Sequence, residues 1–193
     1  MKIIYLDIDG VLNCEEAYKS GECKYVEHND SKLDKNYHQK FYSKSKYWLN
    51  KLIKETDAKI VISSTWRKDG LDWLREVWKL EEMEGEIIDV TPVFYNIENF
   101  KYRVPRGCEI DYHLKNTLGF SHVNWSEEKQ QEYMNKSGVE NYIIIDDDSD
   151  MLYKQRNHFL HVLPSPRNKS GFGEEHYKLG KEMLNKTVID LNY

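Results

Sequence analysis

The chain has no apolar run approaching the roughly 20 residues that a membrane span requires, which sets membrane partners aside. It also lacks the charged-then-apolar leader of a secreted protein: Met1 to Gly10 is too short and too acidic for that and reads as a strand. Cysteine is scarce. Cys14, Cys23 and Cys108 are odd in number and show no zinc-type pairing, which fits reduced thiols in a cytoplasmic protein better than a disulfide framework. No internal repeat is present, and the four prolines and ten glycines nowhere gather into a linker. Residues 1–193 are therefore expected to form one domain with a real core. Nor is there an excess of basic charge. A net charge of −5 excludes a wholesale nucleic-acid coat while leaving room for a local basic patch. What remains, 39% hydrophobic and 32% charged residues, is the composition of a soluble globular protein.

Three apolar runs carry strand signals, and each ends in a polar cluster. Ile3 to Leu6 leads into Asp7-Ile8-Asp9-Gly10, Ile60 to Ile62 into Ser63-Ser64-Thr65, and Tyr142 to Ile145 into Asp146-Asp147-Asp148. Runs rich in Ile and Val without polar alternation suit strands buried on both faces of a parallel sheet. Ile87 to Val90 and Phe159 to Leu163 are two further candidates. Helical spacing is visible in Tyr47, Trp48, Leu52 and Ile53, in Leu71, Leu74, Val77 and Trp78, in Ile110, Leu114 and Leu118, and in Tyr177, Leu179 and Met183. The alternation predicts an α/β fold with a mainly parallel sheet, whose active site lies at the carboxyl ends of the strands. All three polar clusters fall at such ends. The polar segment from about 14 to 42, with scattered tyrosines, breaks the alternation and is expected to form a flap over that face.

On an extended strand Asp7 and Asp9 point the same way, and two carboxylates on one side call for a cation or a shared proton. With Mg²⁺ bound, Asp7 stays ionised and can attack phosphorus, while Asp9, kept off the metal through its side chain, can protonate the leaving oxygen. Gly10 permits a sharp turn. The competing explanation, a calcium loop or surface turn, fits poorly: an apolar strand precedes the acids and Val11-Leu12 follows them.

Ser63 and Ser64 are both placed to hold a phosphoryl oxygen at a strand end, although, taken alone, ordinary helix capping is the better explanation of such residues. Arg67 either reaches a substrate phosphate or sits on the surface. The run Asp146-Asp147-Asp148-Ser149-Asp150 sets four acids in five positions, which repel unless a cation offsets them. A transferring phosphoryl group also needs a fixed cation. Arg106, just before a helix, is the candidate, with Lys101, Arg103 and Lys115 as competitors.

In order, Asp-x-Asp-Gly-Val, the Ser/Thr-ending second strand, a basic residue and a last strand closing on Asp-Asp resemble the four motifs of the haloacid-dehalogenase (HAD) superfamily. The resemblance implies a Rossmannoid three-layer sandwich with a minimal cap, and a phosphatase using Mg²⁺ and an aspartyl-phosphate. By the first motif Asp7 would be nucleophile and metal ligand, and Asp9 the acid/base that lends its backbone carbonyl to the metal. By the last, Asp146 and Asp147 would complete the metal site. Ser-Ser-Thr-Trp-Arg, Pro-Arg-Gly-x-Glu-Ile and Ile-Asp-Asp-Asp-Ser-Asp-Met are similar to the small HAD domains of multi-enzyme RNA-repair proteins and to the phosphatase half of polynucleotide kinases. A nearly capless member implies large substrates, such as nucleic-acid ends, with nucleotides as the smaller option. Other readings are a catalytically silent binding or regulatory module, a receiver-like phospho-acceptor and a phosphotransferase. Keeping both first-strand acids counts against the silent module.

Overall fold

A computed structural model describes residues 1–27, 37–94, 104–120, 127–164 and 166–186. The strands in chain order are β1 (Lys2–Leu6), β2 (Tyr25–Glu27), β3 (Tyr37–Gln39), β4 (Lys59–Ile62), β5 (Ile87–Val90), β6 (Asn141–Asp146) and β7 (Phe159–His161). The helices are α1 (Glu15–Ser20), α2 (Ser43–Thr56), α3 (Leu71–Leu80), α4 (Arg106–Tyr112), α5 (Glu127–Ser137) and α6 (Glu174–Asn185). Five strands form one parallel sheet in the order β5-β4-β1-β6-β7. The chain runs outward from β1 through β4 to β5, then returns to the other side of β1 for β6. β1 is thus the point at which strand order reverses, where α/β sheets open a crevice for ligands.

The unbroken apolar character of β1, β4 and β6 has a packing reason: both faces of the sheet are covered. Ile4, Leu6, Ile60, Ile62, Ile143 and Ile145 face one core, roofed by α2, α3 and α6 through Leu52, Trp73, Leu74, Val77 and Leu184. The alternate residues Ile3, Tyr5, Val61, Tyr142 and Ile144 face the other, roofed by Ile110 of α4, Leu114, Phe120 and Met134 of α5. The result is a three-layer sandwich. Two residues counted on apolar helix faces prove exposed: Tyr47 on α2 and Leu179 on α6. Neither is needed, because Leu49, Leu52 and Ile53 already cover the sheet from α2, and Tyr177, Met183 and Leu184 do so from α6. Among the described residues no helix is long and apolar enough to cross a membrane, and the three cysteines are free thiols.

The 14–42 insertion carries structure of its own: α1 and an antiparallel hairpin of β2 and β3, with residues 28–36 outside the described set. Its base is tied down. Phe41 and Tyr42 are buried, the Tyr42 amide donates to the Leu12 carbonyl at 3.0 Å, and His38 lies 2.9 Å from Glu81 at the end of α3.

Candidate active site

The register of the sheet brings the acids together. Leu6 sits level with Ile62 on one side and Ile145 on the other. One step further, the Asp7 amide donates to the Ile145 carbonyl at 2.9 Å and the Ser63 amide to the Leu6 carbonyl at 2.8 Å. Side chains of neighbouring parallel strands at one level share a face. Asp7 therefore follows the parity of Tyr5, and Asp146 that of Ile144, which places the two carboxylates side by side. Asp147 joins them: Asp7, Asp146 and Asp147 each offer an oxygen within 4.8 Å of the others. Gly10 makes this approach possible. Its φ of 80° favours glycine, and a Cβ there would overlap the Asp147 carboxylate.

Among the described residues, the charge of the cluster is only partly offset. Burial pushes Asp7 up to about 7, against the opposing pull of the Arg106 guanidinium and the Ser64 hydroxyl. Asp146 rises to about 8 through burial and the charge of Asp7. Asp147 is raised by burial and by Asp148. Asp146 Oδ1 accepts from the Asp148 amide at 2.9 Å, whereas among the described residues Oδ2 is buried without a hydrogen bond and has Arg106 Nε as its nearest cation at 3.8 Å. Three converging carboxylates, one oxygen unsatisfied, suit a hard divalent cation.

Asp9 is elsewhere. β1 stops at Leu6 and its ladder continues only to the Asp7 amide, so the strand alternation expected to align Asp7 with Asp9 does not extend to Asp9. The chain instead closes a tight loop, with the Leu12 and Asn13 amides donating to the Ile8 carbonyl and the Gly10 amide to the Asn13 carbonyl. Asp9 is exposed, and its Oδ2 accepts from Trp66 Nε1 at 3.0 Å. Its carboxylate is outside the three-acid group.

The two serines separate. Ser63 Oγ accepts from Thr91 Oγ1 at 3.4 Å inside the sheet edge, while Ser64 is turned toward Asp7 and also caps the short helical turn Thr65–Asp69 by accepting from the Trp66 amide. Arg106 begins α4 with its amide on Asp150 Oδ2 at 2.8 Å and its side chain toward Asp146. Lys115 is paired with Asp111 at 2.8 Å in the wider turn that continues α4, and Lys101 and Arg103 lie outside the described residues. Arg67 is neither a surface residue nor a free phosphate hook: it is buried against Glu109.

Trp66, Glu109, Thr91 and Gln155 belong to the site's framework and were not singled out by the sequence. Trp66 had a signal, its place inside Ser-Ser-Thr-Trp-Arg beside the serines. The site opens on two sides. A cavity of about 190 Å³ is lined by Arg67, Phe94, Arg106 and Asp150, and a wider groove by Asp9, Asn13, Tyr18 and Asp147.

The profile of one protein family, described as the HAD domain in Swiss Army Knife RNA repair proteins, matches residues 3–176. No curated protein and no solved structure matches the chain significantly.

Proposed function

The chain belongs to the family of HAD domains found in Swiss Army Knife RNA repair proteins, and from that premise we propose that it is a Mg²⁺-dependent phosphomonoesterase working through Asp7. The observation that carries this is the convergence of Asp7, Asp146 and Asp147 at the switch point of a parallel sheet, with Asp146 Oδ2 left unsatisfied. Those three carboxylates and the backbone carbonyl of Asp9 would hold Mg²⁺, which when bound neutralises charge and keeps Asp7 ionised.

Asp7 forms a bond to phosphorus as the bond to the leaving oxygen breaks, and Asp9 gives its proton to that oxygen. Asp9 then takes a proton from water, whose oxygen attacks the phosphorus of the aspartyl-phosphate. Inorganic phosphate leaves and the Asp7 carboxylate is restored. Trp66 holds Asp9 in place through its indole N–H. Ser64 and Arg106 flank the transferring group, the first by hydrogen bonding and the second by charge. Ser63, bonded to Thr91, supports the strand end.

The substrate is a phosphorylated nucleic-acid end or nucleotide. The family description supports this, as do the open flanks of the site and the exposed Tyr18, Tyr25 and Tyr37 of the flap, which suit base stacking. The test is phosphate release from an aryl phosphate and from 3′- and 5′-phosphorylated oligonucleotides, with Mg²⁺ or with EDTA. Release should require Mg²⁺ and vanish in Asp7→Asn. Release that persists in EDTA or in the variant would refute the mechanism.

A further inference from the structure

A second charged pair lies behind the acids. Arg67 Nη2 donates to Glu109 Oε2 at 2.6 Å, and the two side chains are only 5% and 6% exposed. The bonds around this pair join two strand-end segments to helix α4. Arg67 Nη1 donates to the Ser64 carbonyl at 2.7 Å after β4. Glu109 Oε1 accepts from the Phe94 amide at 3.1 Å after β5. Glu109 itself stands three residues beyond Arg106 on α4, so it shares a helix face with that residue.

The first turn of α4 is also fixed from the opposite side. Gln155 is fully buried; its Nε2 donates to the Gly107 carbonyl and its Oε1 accepts from the Leu152 amide, both at 2.9 Å. Gly107 is seated so closely that a Cβ would come 2.5 Å from the Leu152 nitrogen. The Arg106 guanidinium, by contrast, has among the described residues a single long ion-pair contact of 3.8 Å. Its guanidinium is therefore aimed by where the helix is placed. A buried ion pair adds little stability over apolar contacts of the same shape, but it does supply direction.

We propose that Arg67 and Glu109 are positioning residues that set Arg106 opposite the transferring phosphoryl group. The proposal rests on the phosphatase reading above. Its test is a double-mutant cycle, read as kcat/KM for an aryl phosphate and as affinity for tungstate, an inorganic phosphate mimic. Glu109→Gln should lower both, kcat/KM by about 10- to 100-fold, the usual consequence of a small misplacement. The Mg²⁺ concentration giving half-maximal activity should stay unchanged. In an Arg106→Gln background the same substitution should alter either quantity by no more than about twofold. An equal loss in both backgrounds would reduce the pair to a structural role and overturn the proposal.

Arg67→Lys retains the charge but cannot reach two acceptors at once, and it carries the same cycle if Glu109→Gln does not fold. If the wild-type protein releases no phosphate, the cycle is read on tungstate alone. Coupling there would uphold the brace while the phosphatase reading fails. Additivity in an active enzyme would sink the brace and leave the phosphatase standing.

Discussion

Two clusters of buried acid in this molecule are built on opposite principles. At the base of the flap, Glu81 accepts from His38 at 2.9 Å, from Lys46 at 3.2 Å and from the Phe41 amide at 3.3 Å. Although burial works against its charge, the hydrogen bonds from His38 and Lys46 hold its carboxyl below the ordinary range. At the strand ends, Asp7, Asp146 and Asp147 face one another with Arg106 as a distant counter-charge, and all three are pushed upward. The first cluster is complete as it stands and belongs to the architecture. The second is left under-compensated among the described residues, and local inconsistency of that kind is what a functional site is expected to show.

The contrast breaks most sharply at Asp7. Asp7→Asn should lower turnover by at least about 10³-fold, as expected when a nucleophile is lost, yet in EDTA its melting temperature should match or exceed that of the wild type. The sign follows from linkage. A carboxyl whose folded pKa is raised contributes stability that is full below its unfolded value near 4 and is lost as pH rises through the folded value. For Asp7 and Asp146 that window runs from about 4 to about 7 and about 8 respectively. Thermal melts in EDTA should therefore show stability falling across it. Melts that stay flat there would mean the acids are already compensated.

Saturating Mg²⁺ should reverse that loss. At a hundredfold excess over Kd the gain is about 2.7 kcal/mol, and Asp146→Asn should erase most of it. Glu81→Gln should do the reverse of Asp7→Asn, losing about 2 kcal/mol of stability with its charge-assisted bonds while leaving kcat nearly intact. A Glu81 variant with normal stability would remove the contrast between the clusters. The smallest effect is expected from Trp66→Phe. Losing one hydrogen bond to the exposed Asp9 should lower kcat by several-fold, about 1 kcal/mol, with KM and Mg²⁺ dependence unchanged.

The strands β1, β4 and β6 were legible because parallel, doubly covered strands leave unbroken Ile and Val runs, and the sheet register then brings their polar ends together. Helix α5 was not, since among its described side chains Met134 alone reaches the core. Ser63 and Ser64 could not be separated because strand parity ends where the chain turns into the next helix. Asp7 and Asp9 were aligned on a strand that ends at Leu6, three residues short of Asp9. Arg67 was ambiguous for a different reason: its partner Glu109 is 42 residues away, and spacing along the chain says nothing about such a pair.

The most direct measurement uses a substrate labelled in its phosphoryl group, with Mg²⁺ present and the reaction quenched in acid within the first turnover. A hydroxylamine-labile label is expected on the peptide containing Asp7 and is expected to be absent from Asp7→Asn. Phosphate release with no labelled protein, or a label on any other residue, would contradict it.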